Sequence, residues 1–393
     1  MGPMPQVAAP PESREQLCTA AGTVEVYRSC ADIEPELWEA CYGGHAADGR
    51  YYRIVEECLG DQFAFRYLVM RNGSQAALQP ALVVDQDGAA GLPRWGRRLV
   101  TLARKVFPRL LRLRLLMVGC AAGEGHPGSL ERWALEALHG ALPAVARSVG
   151  APIIVLKDIP AEYRHAITPV FERDYRRVPG LPAAVLDLAD YSSFEDYLQN
   201  RVGKSFRKNL RRKFRKLAAA PEITMEVIAD AGPLVDELFP LYWQTFQRAE
   251  LEFEILNREF FDRLGRDMPD KTRFFIWRQQ GRIIAFNVCL VHDGVMYDLD
   301  LGMDYSVALN LHMYFVTWRD IVQWSIEQGL RMYHAGPLNY DPKLHLKLEL
   351  APQDLYARHV NGWLNPLFKL AMGFMHPVRH NPLIAKFENA REL

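Results

Sequence analysis

Asp298 and Asp300 alternate within residues 295–301, a run flanked by apolar residues and preceded by Asp293-Gly294. The pattern reads as a strand entered through a tight turn. Strand alternation predicts both carboxylates on one face and Tyr297 on the other. Two carboxylates side by side on a central strand are costly to bury unless they are paired or used. Asp298 or Asp300 is therefore expected to serve as a general base or as an anchor for an ammonium group, ahead of Asp304. The plain alternative is a sheet face open to water.

A second constellation is cationic. Nine basic residues and no acidic one lie between Arg201 and Lys216. Phe206, Leu210, Phe214 and Leu217 recur at helical spacing, so one stripe can dock while Arg207, Arg211 and Arg212 fan out over the other faces. Such a run is usually a solvated face, yet like charges held together suit a phosphate-bearing ligand such as coenzyme A, a nucleotide-linked precursor or tRNA. Ser192 with Glu195 forms a capping-box signature for the helix just before it. A further helix is expected over 310–328, with Leu311, Tyr314, Phe315, Trp318, Ile321, Val322 and Ser325 on one face and Gly329 as its stop. Its positive end at Asn310 can receive the same anion.

Other motifs exclude more than they suggest. Cys120-Ala-Ala-Gly-Glu-Gly125 precedes a helix expected over 129–148, and backbone amides at a helix start suit a pyrophosphate, but a plain glycine turn is the preferred reading. Extended to Gly128 the residues spell GxGxxG; Pro127 inside it, and the lack of an acidic strand end ~20 residues on, exclude a dinucleotide fold. His292, His312, His334, His345 and His359 have no HxxxH spacing, and the six cysteines contain no CxxC pair, so no metal site is expected. No Walker sequence, GxSxG elbow or paired Cys/His signature occurs.

The elements that must hold these groups are written twice. A strand at 24–29, helices around 34–42 and 51–59, a hairpin of 64–71 and 75–84 through Asn72-Gly73, a helix at 129–148 and a strand at 152–157 make up the first half. The second half repeats them at 223–229, 234–249, 257–266, 273–279 with 282–292 through Gln280-Gly281, 310–328 and 331–335. Hairpins mixed with crossover helices predict an α/β fold with mixed sheets and helices on both faces of each, not a doubly wound parallel sheet. The chain divides into a disordered lead (1–22), a first unit (23–190), a basic helical connector (191–220), a second unit (221–362) and a C-terminal amphipathic helix and tail (363–393).

This doubled order resembles the GNAT superfamily of N-acetyltransferases and, within it, the Fem-type peptidyltransferases and Fem-like bacterial acyltransferases. Residues 191–198 followed by 204–213 are similar to that family's segment joining the two units. The run from Gly281 through Leu301, the helix after it, and Gly336, Tyr340 and Lys343 resemble its catalytic unit. The resemblance implies tandem GNAT-like units with the second catalytic, and acyl transfer from acyl-CoA (acetyl-CoA or longer) as a co-substrate, with no permanently bound cofactor. Tyr340 would then be the acid and Lys343 a phosphate or carboxylate partner, with Arg207, Arg211, Arg212 and Asn310 on the donor. The alternatives are a Fem-like aminoacyl-tRNA-dependent peptidyltransferase and a non-catalytic protein binding an anionic surface.

Composition sets the outer limits. Of 393 residues 49% are apolar and 24% charged, with 47 Lys plus Arg against 47 Asp plus Glu; a large core is available, and net charge gives no reason to expect DNA. Residues 1–17 lack a basic and apolar export signal, so a cytoplasmic location is expected. Residues 92–118 hold eight basic and no acidic residues, and Trp95, Leu99, Leu102, Val106, Leu110, Leu113 and Met117 fall on one helical face. That reads as a helix lying on an anionic membrane. A second such stretch is 363–375, with Trp363, Leu364, Leu367, Phe368, Ala371 and Phe374 beside Lys369. The acceptor is expected to be a small-molecule or cell-envelope amine.

Overall fold

The computed structural model describes residues 15–87, 100–101, 112–218, 220–249, 253–374, 376 and 381–393. The strands are β1 (Glu15–Thr19), β2 (Gly22–Tyr27), β3 (Ala64–Asn72), β4 (Gln75–Asp87), β5 (Arg112–Val118), β6 (Ile153–Pro160), β7 (Arg176–Pro179), β8 (Ala183–Asp187), β9 (Ile223–Ile228), β10 (Thr272–Gln279), β11 (Arg282–His292), β12 (Val295–Met303), β13 (Met332–His334), β14 (Glu349–Ala351) and β15 (Gln353–His359). Among the described residues they form an eight-stranded sheet, β1-β2-β3-β4-β5-β6-β15-β7, and a seven-stranded sheet, β14-β8-β13-β12-β11-β10-β9.

The repeated order is visible as repeated pairing. β2 to β6 in one sheet match β9 to β13 in the other, antiparallel throughout except for the last step, which is parallel in both (β5 with β6, β12 with β13). A parallel step needs a long crossover, supplied by the helices Arg132–Ser148 and Met313–Glu327. The place beyond it is filled from the opposite half of the chain. β15 lies between β6 and β7, and β8 lies between β13 and β14. Sheet membership therefore does not follow the division at 190 and 221: β8 precedes the connector yet belongs to the second sheet.

Three local expectations are corrected. Residues 112–118 are strand β5, not part of an amphipathic helix: its burial alternates, and Arg114 pairs with Asp85 across the ladder at 2.8 Å. Leu113 and Met117 satisfy a four-residue spacing, but the alternation of Arg112 and Arg114 with Leu113 and Leu115 is the period that wins. Apart from Val100 and Thr101, the rest of that stretch lies outside the described residues. The cap of helix Phe194–Asn200 is Ser193, accepting from Asp196 N at 3.1 Å, one position later than Ser192 and Glu195 suggested. The helix expected over 310–328 is two helices, Tyr305–Leu311 and Met313–Glu327, broken at His312 with φ +56°.

A shared core joins the halves. Leu37, Trp38, Ile54 and Val55 from the first and Leu238, Tyr242, Phe260 and Leu264 from the second pack in one cluster between the inner faces of both sheets. At its edge a polar clamp crosses the chain: Asp48 caps helix Gly49–Leu59 and accepts from Lys271 Nζ at 2.8 Å, while Arg50 grips Asp48 and Asp270. Lys271 also donates to His45 O. Burial opposes ionisation of Asp48, but hydrogen bonds from Arg50 and Lys271 outweigh it and hold its carboxyl below the usual aspartate range.

Removing one member of such a buried pair leaves the other uncompensated, so Asp48→Ala should lower unfolding free energy by about 3–5 kcal/mol at neutral pH. A depressed carboxyl stabilises above its unfolded pKa of about 4 and loses that contribution as pH falls through the folded value. The gap between parent and variant in urea denaturation should accordingly shrink in acid. An equal gap at all pH values would remove the charge from the account.

Candidate active site

β12 carries a bulge. Cys289 pairs with Asp298 and Val288 with Asp300, so Leu299 is the extra residue. Cross-strand partners share a face, and Cys289 and Val288, being consecutive, do not. Asp298 therefore faces the outer core with Cys289, and Asp300 faces the shared core with Val288. The single-face expectation for the two carboxylates fails because the inserted residue resets the alternation. β12 also leaves its parallel neighbour here. Pairing with β13 covers Val295 to Tyr297 only, a notch in the ladder just before Asp298 and Asp300.

On the outer face Asp298 accepts from Tyr333 Oη at 2.5 Å and Asn287 Nδ2 at 2.8 Å. Burial raises its pKa, partly offset by those donors and by the Lys343 charge. Tyr314, one residue into helix Met313–Glu327, is pushed up by burial and by Asp298. Just before it His312 is held below the usual histidine range by burial and then by the charges of Lys213, Lys216 and Arg212. A helix start and three cations of the basic helix Lys204–Ala218 thus converge beyond the notch.

On the inner face Asp300 is raised well above the aspartate range, by burial first and then by the charges of Glu254 and Asp298. Glu254 is itself raised by burial, with Lys157 acting against the shift. Burial favours loss of the Lys157 proton, but Asp158 at 2.6 Å and Glu254 hold it above the usual lysine value. Asp300 and Glu254 nevertheless keep partial solvent exposure. Glu124 enters from the first half. It lies 3.1 Å from His334 Nε2 and accepts from Gln353, the first residue of β15; these partners outweigh burial and keep it below the usual glutamate range. Gly336 N donates to His334 Nδ1 at 3.4 Å, which leaves the His334 proton on Nε2, toward Glu124. His126 is pushed down to about 4 by burial, against Glu124.

Glu124, Lys157, Glu254 and His334 were not singled out as site residues by sequence. Glu124 lies inside the glycine run 120–128, which does not start a helix; the next helix begins at Arg132. Its glycines instead allow close backbone packing. A Cβ at Gly125 would sit 1.9 Å from Lys157 O and one at Gly128 1.8 Å from Leu78 O. The acidic residue amid obligatory glycines was the available signal.

The other residues named from sequence are placed elsewhere. Tyr340 is 1% exposed and donates to Pro182 O at 2.8 Å within a small core with Leu350, Ile384 and Phe387. Lys343 donates to the carbonyls of Ala335, Gly336 and Pro337 at 2.8, 2.9 and 3.1 Å, and burial pushes it down to about 8 against the pull of Asp298. It braces the turn after β13. Asp304 caps helix Tyr305–Leu311 and pairs with Arg282. Asn310 is exposed in the last turn of that helix, so the helix start it was expected to mark lies at Met313. Phe206, Leu210, Phe214 and Leu217 dock the basic helix on the outer core. Arg207 donates to Leu198 O and Gln199 O, Arg211 pairs with Glu195, and exposed Arg212 contacts Asn209. An open groove runs along Lys204, Arg207, Lys208, Arg211, Phe214 and Arg215. Among the described residues no His, Cys, Asp and Glu group is arranged to hold a metal ion.

Comparison with known proteins bears on the fold. The family model for an acetyltransferase (GNAT) domain matches residues 204–344. The crystal structure of FemX superposes with a TM-score of 0.53 at 11% identity, over 86% of this chain and 98% of that one. The C-terminal domain of a putative lysylphosphatidylglycerol synthetase from Agrobacterium fabrum gives 0.51 at 16% identity, over 88% and 95%. At these identities the likeness is one of fold. A search of curated proteins finds no match.

The placement of Tyr340 has a direct test. Tyr340→Phe should leave turnover unchanged and lower stability by about 1 kcal/mol, the usual worth of a hydrogen bond whose buried acceptor loses its donor. Lys343→Met, which strands three carbonyls, should destabilise more. Loss of turnover in a fully folded Tyr340→Phe protein would contradict the core position of that hydroxyl.

Proposed function

For this chain, an acyltransferase of the GNAT superfamily with a doubled, Fem-like fold, we propose transfer of an acyl group from an acyl-CoA thioester to a primary amine, with donor and acceptor meeting at β12 from opposite faces of the second sheet. The observation that carries this reading is the bulge at Leu299, which turns Asp298 and Asp300 to opposite sides of one strand just past the end of its pairing with β13. The outer side offers a helix start with Lys213, Lys216 and Arg212 nearby, suited to the donor's phosphates. Asp300 and Glu254 on the inner side suit an ammonium ion, whose charge would relieve their mutual repulsion.

Asp300 is the proposed base. A carboxylate whose pKa is raised toward the working pH takes a proton from an ammonium more readily than an ordinary aspartate does. The freed amine attacks the thioester carbonyl, forming the C–N bond, and collapse of the tetrahedral intermediate breaks the C–S bond. The amine's second proton passes to the departing thiolate, giving amide and thiol. Glu124 and His334, 3.1 Å apart, would orient the acceptor.

A second reading, an aminoacyl-tRNA donor, is favoured by the open groove of the basic helix, whose lining of Lys204, Arg207, Lys208, Arg211 and Arg215 suits a phosphate backbone. Neutral net charge weighs for the smaller donor. We place the enzyme in the cytoplasm, in peripheral contact with an anionic membrane where a cell-envelope amine is presented; among the described residues no helix is long and apolar enough to cross one.

Mass spectrometry of ligand retained by the purified protein discriminates the donors: acyl-CoA supports the first reading and charged tRNA the second. Asp300→Asn should reduce acyl transfer about 10²–10⁴-fold, the usual contribution of a positioned base. The same variant should melt higher than the parent above neutral pH. A raised carboxyl stabilises below its unfolded pKa and loses that contribution as pH rises through the folded value, and the amide removes the loss. Full activity in Asp300→Asn would take the inner carboxylate out of the chemistry.

A further inference from the structure

The C-terminal helix Asn365–Met372 turns its apolar side outward. Trp363, just before it, is 92% exposed, and Leu364, Leu367 and Leu370 are 50%, 67% and 64% exposed. Spacings of three and four residues put Trp363, Leu367 and Leu370 on one face, with Leu364 beside them. Isolated exposed apolar residues are ordinary, whereas a contiguous ridge of large ones marks an interaction surface.

The ridge is held in position. Asn365 Nδ2 donates to Asp174 O at 2.8 Å and its Oδ1 accepts from His359 N at 2.9 Å. Lys369 Nζ donates to Glu172 O and Arg173 O at 3.2 and 2.8 Å. Phe368 turns toward His359 on β15. These contacts fix the helix to the edge of the first sheet by its polar side and leave the leucines facing out.

The surrounding charge is one-sided. Lys369 lies on the helix itself and Arg358 on β15 behind it. Exposed Arg173 and Arg176 stand beside the helix, with the Arg176 guanidinium packed against Gly373. Asp174 is taken up by His139 and Arg358. Glu172 offsets part of the positive charge and leaves the balance cationic. An apolar ridge rimmed by cations matches the boundary of an anionic bilayer, with the leucines at acyl-chain depth and the guanidinium groups at the phosphates.

We infer that Trp363, Leu364, Leu367 and Leu370 are the surface by which this protein docks on a bilayer of anionic phospholipid, with Arg173 and Arg176 selecting the charge. This rests on the membrane contact proposed above and assigns it a place. It is independent of the acyl-transfer chemistry in the second sheet.

Full-length protein should sediment with phosphatidylcholine vesicles containing about one third phosphatidylglycerol and at least tenfold less with phosphatidylcholine alone. The triple variant Trp363→Ala, Leu367→Ser, Leu370→Ser should lose that binding at least tenfold with an unchanged melting temperature. Arg173→Gln with Arg176→Gln should weaken preference for the anionic vesicles while the fold stays intact. Binding retained in the triple variant would overturn the assigned surface and leave the membrane contact standing. Absence of binding by the parent at low salt would overturn both, with acyl transfer judged separately by Asp300→Asn. A parent dimer in sedimentation velocity that the triple variant dissociates would make the ridge a contact between copies and overturn the lipid proposal.

Discussion

β15 crosses from the second half to lie between β6 and β7, and β8 lies between β13 and β14 although it precedes the connector. Without the borrowed strand each sheet would expose a row of unpaired backbone groups beside its parallel step, an arrangement that costs free energy when buried and invites wrong pairing. The two halves therefore complete each other. The shared core and the clamp of Asp48, Arg50, Asp270 and Lys271 add side-chain contacts to an arrangement already interlocked by backbone pairing.

The candidate site follows from that interlock. Gln353 opens β15, the strand lent to the first sheet, and it meets Glu124 from the first half and, through Glu124, His334 at the end of β13. Glu124 reaches the second sheet because the glycines around it let its loop lie directly on the backbones of β4 and β6. This side of the second sheet is thus lined from both halves, although the place where β12 leaves β13 belongs to the second sheet alone.

Carboxylates held this deep work against stability. Asp298 has two side-chain oxygen and nitrogen donors to offset burial, whereas the charges near Asp300 are of its own sign. Asp300 and Glu254 raise each other's cost, and only the Lys157 charge acts against the shift of Glu254. Lys157 is nearby, yet its closest carboxylate is Asp158 at 2.6 Å. Strain of this kind persists only where the surrounding structure over-determines it, which the interlocked sheets do.

Much was legible from residue order. The Asn72-Gly73 and Gln280-Gly281 turns marked hairpins because few residues adopt a left-handed turn at low cost, and both hairpins are present. The stripe through Leu210 predicted how the basic helix docks. What pairing alone decides was not legible. The bulge at Leu299 exists only in the register of β11 against β12, and one extra residue there reverses the side of every group beyond it. Arg112 to Val118 satisfied helical and strand periods alike until backbone pairing with β4 on one side and β6 on the other chose the strand. Tyr340 and Lys343 were given site roles by the resemblance, and their burial was not legible: Pro182 and Phe387 enclose the tyrosine from distant parts of the chain, and the 335–337 carbonyls hold the lysine. Local patterns carry propensity and periodicity over a few residues, so the sequence by itself determined the two hairpins, the docking stripe of the basic helix and the repeated order of the elements around them. Which face each side chain meets, and which half of the chain completes each sheet, is set by contacts between segments some two hundred residues apart, and only the tertiary structure decided it.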